Sequence, residues 1–269
     1  MLNESEIAQF KRDGVLVRPN LFAPDEVAAL LAAFDRDAGT SGDHRIVEPA
    51  SQEVRALYAS HRRQPEYASL ARSPRLVGPA RQLLGPEVYL YQFKINAKPA
   101  HGGDGWAWHQ DYVAWRIADR LRSPSLVNAV LFLDDITETN GPIAFVAGSH
   151  ADGLIRDRRS DRQRSSQHLD PDDIALSPQD LESLLDRHEL VTPTCAAGTV
   201  VLFHPEIVHG SSPNLSPFAR RVAIATYNDV HNLPRPAGEP RPEYLVCRDT
   251  RPLPIEEDRP IVDSGAAAR

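Results

Sequence analysis

Val88-Tyr89-Leu90-Tyr91-Gln92-Phe93-Lys94-Ile95-Asn96 is aromatic and β-branched with partial alternation, the composition of a strand on a pleated, half-buried surface. Everything before it reads differently. Residues 5–11 carry Ile7 and Phe10 at helical spacing, Asp13-Gly14 breaks that run, and Val15-Leu16-Val17 follows as a short strand. Pro24-Asp25-Glu26-Val27 opens a helix with acidic residues in its first turn, and Ala28, Leu30, Leu31 and Phe34 continue it towards Gly39. Residues 40–65 are polar and irregular, with a short helix expected at 52–60. A further helix over 74–84 is stopped by Gly85-Pro86.

Beyond residue 96, strands are expected at 106–109, 126–133, 143–146, 200–203 and 221–227, with Asn140-Gly141-Pro142 and Gly148-Ser149 as turns. Many short strands separated by turns predict a barrel or a sandwich. Between them, residues 152–173 are highly charged, with five Arg between 156 and 164, and a helix is expected at 177–188. The charged stretch reads as a solvated loop, with a lid as the alternative. Residues 232–260 are Pro-rich and wrap the surface, with a strand-like piece at 243–247. No repeat and no linker divides the chain, so residues 1–269 are expected as one domain. It comprises a mostly helical part (1–86), a β core (87–230) with a charged insert or lid at about 151–190, and a Pro-rich extension (231–269).

Composition fits this: 269 residues with 41% hydrophobic side chains supply one sizeable core. The net charge is −7 and no Lys/Arg-rich block of the kind that tracks phosphates is evident, so nucleic acid is not an expected partner. No apolar stretch, 127–133 and 200–203 included, approaches the ~20 residues a membrane span needs. Only Cys195 and Cys247 are present and the opening residues do not read as a signal peptide, so a reducing cytoplasm is the expectation. Of 30 basic residues only Lys11, Lys94 and Lys98 are Lys. Lys94 and Lys98 stand out, because elsewhere this chain nearly always uses Arg.

Chemistry is sought among the ten His, because imidazole with one carboxylate suits redox iron that must keep positions open. On an extended backbone residues i and i+2 share a face, so His-x-Asp can offer a nitrogen and an oxygen to one ion. About 0.8 such pairs are expected by chance in a chain of this composition. His109 and His168 each head such a pair, and context separates these two. His168-Leu169-Asp170 sits in a polar run with nothing to shield a metal, whereas His109-Gln110-Asp111 is flanked by Trp106, Trp108, Tyr112 and Trp115. A third ligand must come from elsewhere, among His150, His204, His209 and His231. His209 is favoured because it follows the apolar 200–203 strand and precedes Gly210, with His204 next.

His209-Gly210-Ser211-Ser212-Pro213-Asn214-Leu215-Ser216-Pro217-Phe218-Ala219-Arg220 closely resembles a segment of the phytanoyl-CoA dioxygenase-like family of Fe(II)/2-oxoglutarate dioxygenases, in pattern nearest the ectoine hydroxylase branch. The resemblance extends in order through Phe10-Lys11-Arg12-Asp13-Gly14-Val15, Trp108-His109-Gln110-Asp111, Asn140-Gly141-Pro142, Gly148-Ser149-His150 and Arg241-Pro242-Glu243-Tyr244-Leu245. It implies a mainly β fold with flanking helices around a double-stranded β-helix, the jelly-roll of cupin-like proteins. It implies Fe(II) held by His109, Asp111 and His209, with 2-oxoglutarate and O2 consumed and succinate and CO2 released. Arg220 would hold the distal carboxylate of 2-oxoglutarate, a role that suits a planar guanidinium. Ser211, Lys98 and Asn128 would contact the same cosubstrate. Asp111 itself implies hydroxylation over halogenation, since halide-transferring relatives have a small residue there. Gln92 and Trp115 coincide with substrate-contacting positions.

The run after Asp111, residues 112–120, departs from the ectoine branch and puts ectoine itself in doubt. A small polar metabolite, an amino-acid derivative or a natural-product intermediate of secondary metabolism, is expected, with Arg116, Arg120 or Arg122 facing an anionic group. Two other readings remain at this stage: a redox-silent metal-dependent hydrolase or isomerase on the same fold, and a binding protein with a fossil site. Oligomeric state is not legible.

Overall fold

A computed structural model describes residues 1–48, 51–155 and 171–262. Six α-helices are present among them: α1 Glu4–Asp13, α2 Pro24–Ala38, α3 Pro65–Arg72, α4 Pro74–Leu84, α5 Asp111–Asp119 and α6 Pro178–Leu185. The strands are β1 Val15–Arg18, β2 Arg45–Val47, β3 Val54–Tyr58, β4 Val88–Lys98, β5 Trp106–His109, β6 Leu126–Phe132, β7 Ile143–Ala147, β8 Glu189–Val191, β9 Val200–Phe203, β10 His209–Ser211 and β11 Arg220–Asp229. They form a seven-stranded sheet, β1-β9-β6-β11-β4-β3-β2, and a four-stranded sheet, β5-β10-β7-β8. Every pairing in both sheets is antiparallel. This is the mainly β jelly-roll with flanking helices that the strand pattern and the family resemblance imply.

The large sheet is buried on both faces, which explains why its central strands read as unbroken apolar runs. On β6, Val127, Ala129 and Leu131 join the cluster formed with α1 to α4, whereas Val130 and Phe132 join the cluster that includes Phe145 of the small sheet. On β11, Ala223, Ala225 and Tyr227 face the helices and Val222 and Ile224 face inward. β4 adds one irregularity: Thr226 pairs with Gln92 but Tyr227 pairs with Leu90, so Tyr91 is the extra residue of a β-bulge. Phe93, Ile95 and Ala97 face the helices after the bulge, as Val88 and Leu90 do before it. Tyr91 and Gln92 therefore both turn inward, although neighbours on a regular strand cannot.

Several local expectations are corrected. Residues 54–58 form β3 on the edge of β4, with Leu57 opposite Ile95, in place of the helix expected at 52–60. Helix α3 was not legible in 65–72, and residues 243–247 adopt turns instead of a strand. Asp111 is the first residue of α5, not a strand residue, and β5 ends at His109. Gln110 is still extended, at φ −118° and ψ 122°, which preserves the shared direction of the His-x-Asp pair. The His168 pair and the Arg156–Arg164 run of the expected insert or lid lie outside the described residues. None of the described helices is long and apolar enough to cross a membrane.

Candidate active site

His109 and His209 are direct cross-strand partners on β5 and β10, and their rings lie 4.3 Å apart by centroid. Each ring is oriented the same way. His109 Nδ1 lies 2.7 Å from Ala107 O and His209 Nδ1 lies 3.0 Å from Ile207 O. A carbonyl only accepts, so each Nδ1 carries the proton and each Nε2 is left as a lone-pair donor. Asp111 sits beside them, with Oδ1 3.5 Å from His109 Nε2 and Oδ2 3.9 Å from His209 Nε2. Among the described residues these three form the one group of His, Cys, Asp or Glu side chains poised to hold a metal ion, and all three are buried.

Gln110 fixes the pair that flanks it. Its amide nitrogen donates to Gly153 O and Glu206 O, and its oxygen accepts from Ile155 N, so one fully buried side chain ties two segments to the site. At the start of α5, Asp111 gains from the positive end of the helix dipole. Burial alone would raise its pKa, but Lys94 and the two imidazoles beside it hold it well below the usual carboxylate range. His209 is lowered to about 4 by burial and by His109, against the pull of Asp111. The donor set is a carboxylate and two imidazoles that each turn Nε2 to the same point, which suits Fe(II) with positions left open.

At the far end of the cavity, Arg220 opens β11 directly opposite Lys98, the last residue of β4. Two like charges facing each other across strands are unfavourable, more so at 2% and 1% exposure. Arg220 donates through Nε and Nη2 to Gly141 O at 3.0 and 2.7 Å, and Lys98 Nζ donates to Ser211 Oγ at 2.9 Å and to Ser212 O. Burial, then Arg220 and Arg55, lower Lys98 to about 6, while burial lowers Arg220 to about 10. Of the two, Arg220 lines the cavity and Lys98 does not, and together they make that end of it positive, as an anion requires. Asn96, on the same inward face of β4, lines the cavity, and with no donor held at its buried Oδ1 the amide can turn its nitrogen to an anionic ligand. These features fit a dicarboxylate spanning from the metal ligands to Arg220. Arg221 turns outward to Asp134, with its guanidinium 5.6 Å from the Phe34 ring.

The cavity is lined by His109, Asp111, His209, Ser211, Arg220, Gln92 and Trp115, all named from the sequence, and also by Tyr58, Lys94, Asn96, Trp106 and Arg241. Gln92 donates to Leu245 O at 2.8 Å, and Trp115 meets Tyr91 edge-on at 5.4 Å. Asn128 is not on the cavity wall: its amide nitrogen donates to Asp111 Oδ2 at 2.9 Å. Arg116 is a correction, since it lies exposed on the outer face of α5, and Arg120 and Arg122 are exposed as well. A helix turns successive residues through its circumference, so with Ala114 and Trp115 facing in, Arg116 faces out.

Arg241 was missed as a site residue. It ion-pairs with Asp119 at the end of α5 and hydrogen-bonds Tyr91 Oη at 3.3 Å. Its signal was its place in a motif of the family resemblance. Lys94 had a compositional signal, as one of only three Lys.

Residues 10–222 match the phytanoyl-CoA dioxygenase (PhyH) family. L-proline trans-4-hydroxylase of Streptomyces griseoviridis is 40% identical over 263 residues, covering 93% of this chain and 95% of that protein. Ectoine dioxygenase of Bordetella bronchiseptica is 35% identical over 264 residues, covering 94% of this chain and 86% of its own. The crystal structure of EctD from S. alaskensis with 2-oxoglutarate and 5-hydroxyectoine matches with a TM-score of 0.83 at 33% identity, over 97% of this chain and 89% of that one.

Proposed function

The chain belongs to the phytanoyl-CoA dioxygenase family, and from that footing we propose which residues run its reaction and what they act on. It is an Fe(II)- and 2-oxoglutarate-dependent dioxygenase that hydroxylates a C–H bond of a small polar metabolite and releases succinate and CO2. When bound, iron and 2-oxoglutarate supply the oxidising power that activates O2 against an unreactive C–H bond.

His109, Asp111 and His209 hold the iron, with each Nδ1 proton kept on a carbonyl so that Nε2 faces the ion. Arg220 and Lys98 clamp the distal carboxylate of 2-oxoglutarate, with Ser211 accepting from both cations. Asn96 offers its amide to the cosubstrate along the same strand face. Phe203, Ile143 and Ile224 keep this end of the cavity apolar and exclude water.

The substrate is a small amino or imino acid of about the size of proline. Three groups support that reading: Arg241 for a carboxylate, Trp115 for an apolar ring face, and Gln92 for a polar edge. Among relatives, the L-proline hydroxylase agrees with it. The enzyme works in a reducing cytoplasm, with both Cys free, and needs neither nucleic acid nor membrane.

The facing of two freed Nε2 atoms and one carboxylate carries the reading. Its test is an anaerobic titration with Fe(II) and then 2-oxoglutarate, followed through the weak visible charge-transfer band of the chelate, in wild type and Arg220→Ala. Wild type should develop the band, and the variant should need at least tenfold more cosubstrate. Absence of the band with iron bound sinks the assignment. Succinate release with L-proline or ectoine as added substrate then selects the class; release uncoupled from product with both would exclude the proline-sized reading.

A further inference from the structure

Asn128 and Thr226 are polar side chains on the inward face where β6 meets β11, and they are direct cross-strand partners. Both are fully buried, at 1% and 0% exposure, and neither lines the cavity. Their neighbours along the same face are Val130, Phe132, Val222 and Ile224. A buried amide left unpaired there is costly, so apolar residues would serve packing better.

Their hydrogen bonds run in one direction, towards Asp111. Thr226 Oγ1 donates to Asn128 Oδ1 at 2.6 Å, and Asn128 Nδ2 donates to Asp111 Oδ2 at 2.9 Å. The order is forced by chemistry. An ionised carboxylate only accepts, so Asn128 must turn its nitrogen to Asp111; its oxygen is then left for a donor, and the Thr226 hydroxyl is one. Without Thr226 the amide could flip and set oxygen against oxygen.

We propose that Thr226 and Asn128 form a relay that presents Asp111 to the metal through Oδ1 alone, by keeping Oδ2 engaged. This rests on the dioxygenase reading above and adds a role in counting coordination positions. Two His and one carboxylate oxygen leave three of six positions, enough for a chelating keto acid and O2. A carboxylate free to bind through both oxygens would take one of the three. Asn128 and Thr226 are positioning residues: they act through Asp111 and touch neither cosubstrate nor substrate.

The test uses wild type, Asn128→Leu and Thr226→Val, both nearly isosteric, with three anaerobic readouts. The first is Fe(II) affinity, by competition with a chromophoric chelator. The second is the fraction of the Fe(II)–2-oxoglutarate complex that binds nitric oxide, an O2 surrogate, read from the EPR signal of the iron-nitrosyl. The third is the thermal midpoint of the metal-free protein.

Outer partners of a metal ligand commonly matter 10–100-fold, so Fe(II) affinity should fall about 10-fold or more in Asn128→Leu and in the same direction in Thr226→Val. The nitrosyl fraction should fall in both while the metal-free midpoint keeps a cooperative transition, a pattern that a purely structural role does not produce. Equal affinity and equal nitrosyl yield in wild type and variants overturn the relay. Should Asn128→Leu fail to fold, Thr226→Val decides alone. Failure of wild type itself to bind Fe(II) overturns the metal centre and not specifically the relay.

Discussion

Lys98 carries the most consequential electrostatic choice of any single residue, because its partner across the strand is another cation and its environment is dry. Its pKa falls from the ordinary 10.5 to about 6 in the free protein. Between those values the unfolded chain holds a proton on Lys98 that the folded chain does not, so folding stability rises with pH across that window and gains nothing more above it. An anionic carboxylate set between Lys98 and Arg220 reverses the preference and draws the proton back. Binding of 2-oxoglutarate to the Fe(II)-loaded protein at pH 7.5 should therefore take up close to one proton. Calorimetry in two buffers of different ionisation enthalpy measures it directly, and Lys98→Met should abolish the uptake. Buffer-independent binding by wild type would mean that Lys98 is already charged in the free protein.

Helix α5 does two jobs at its two ends: Asp111 begins it beside the metal position, and Asp119 ends it in the ion pair with Arg241. The C-terminal segment comes down on the same helix end, since Arg235 N donates to Asp119 O at 2.7 Å. Removing one partner of a buried pair strands the other, so Asp119→Ala should cost about 3 kcal/mol of stability, measured as a fall in the urea midpoint. It should also weaken capture of L-proline, if that is the substrate, while leaving the Fe(II)–2-oxoglutarate band in place; loss of the band would mean that α5 transmits the damage to Asp111.

Such coupling was not legible in the sequence. His109, Asp111 and His209 could be singled out because metal chemistry restricts residue types and because aromatic neighbours set the His109 pair apart from the His168 pair. The central strands of the large sheet were legible since burial on both faces leaves largely apolar runs. Asp119, Arg241 and the bulge at Tyr91 were not, because an ion pair between residues 122 apart and a one-residue slip in strand pairing leave no local periodicity. β3 was missed for the same reason: its partner β4 lies over thirty residues on, and pairing there overrides a weak local pattern.

At the scale of the whole molecule, the candidate site lies where the two sheets face each other, with its halves on different sheets. His109 and His209 belong to the small sheet, while Arg220 and Lys98 belong to the large one. A metal ion alone ties β5, β10 and α5 together; a dicarboxylate held by that metal and by Arg220 ties one sheet to the other. Ligands that bind only the folded state stabilise it by mass action, about 2.7 kcal/mol at a hundred times the dissociation constant. For a chain of this size each kcal/mol raises the midpoint by roughly 2–4 °C. Anaerobic melting should thus show a modest rise with Fe(II), and a further rise of about 5–10 °C when 2-oxoglutarate is added to the iron-loaded protein. Without iron, 2-oxoglutarate at the same concentration should raise the midpoint far less, because only one end of it is held. Arg220→Ala should keep the metal increment and lose most of the second. An equal 2-oxoglutarate increment with and without iron would show that the cosubstrate does not join the two halves, and the clamp at Arg220 and Lys98 would then have to be assigned to some other anion.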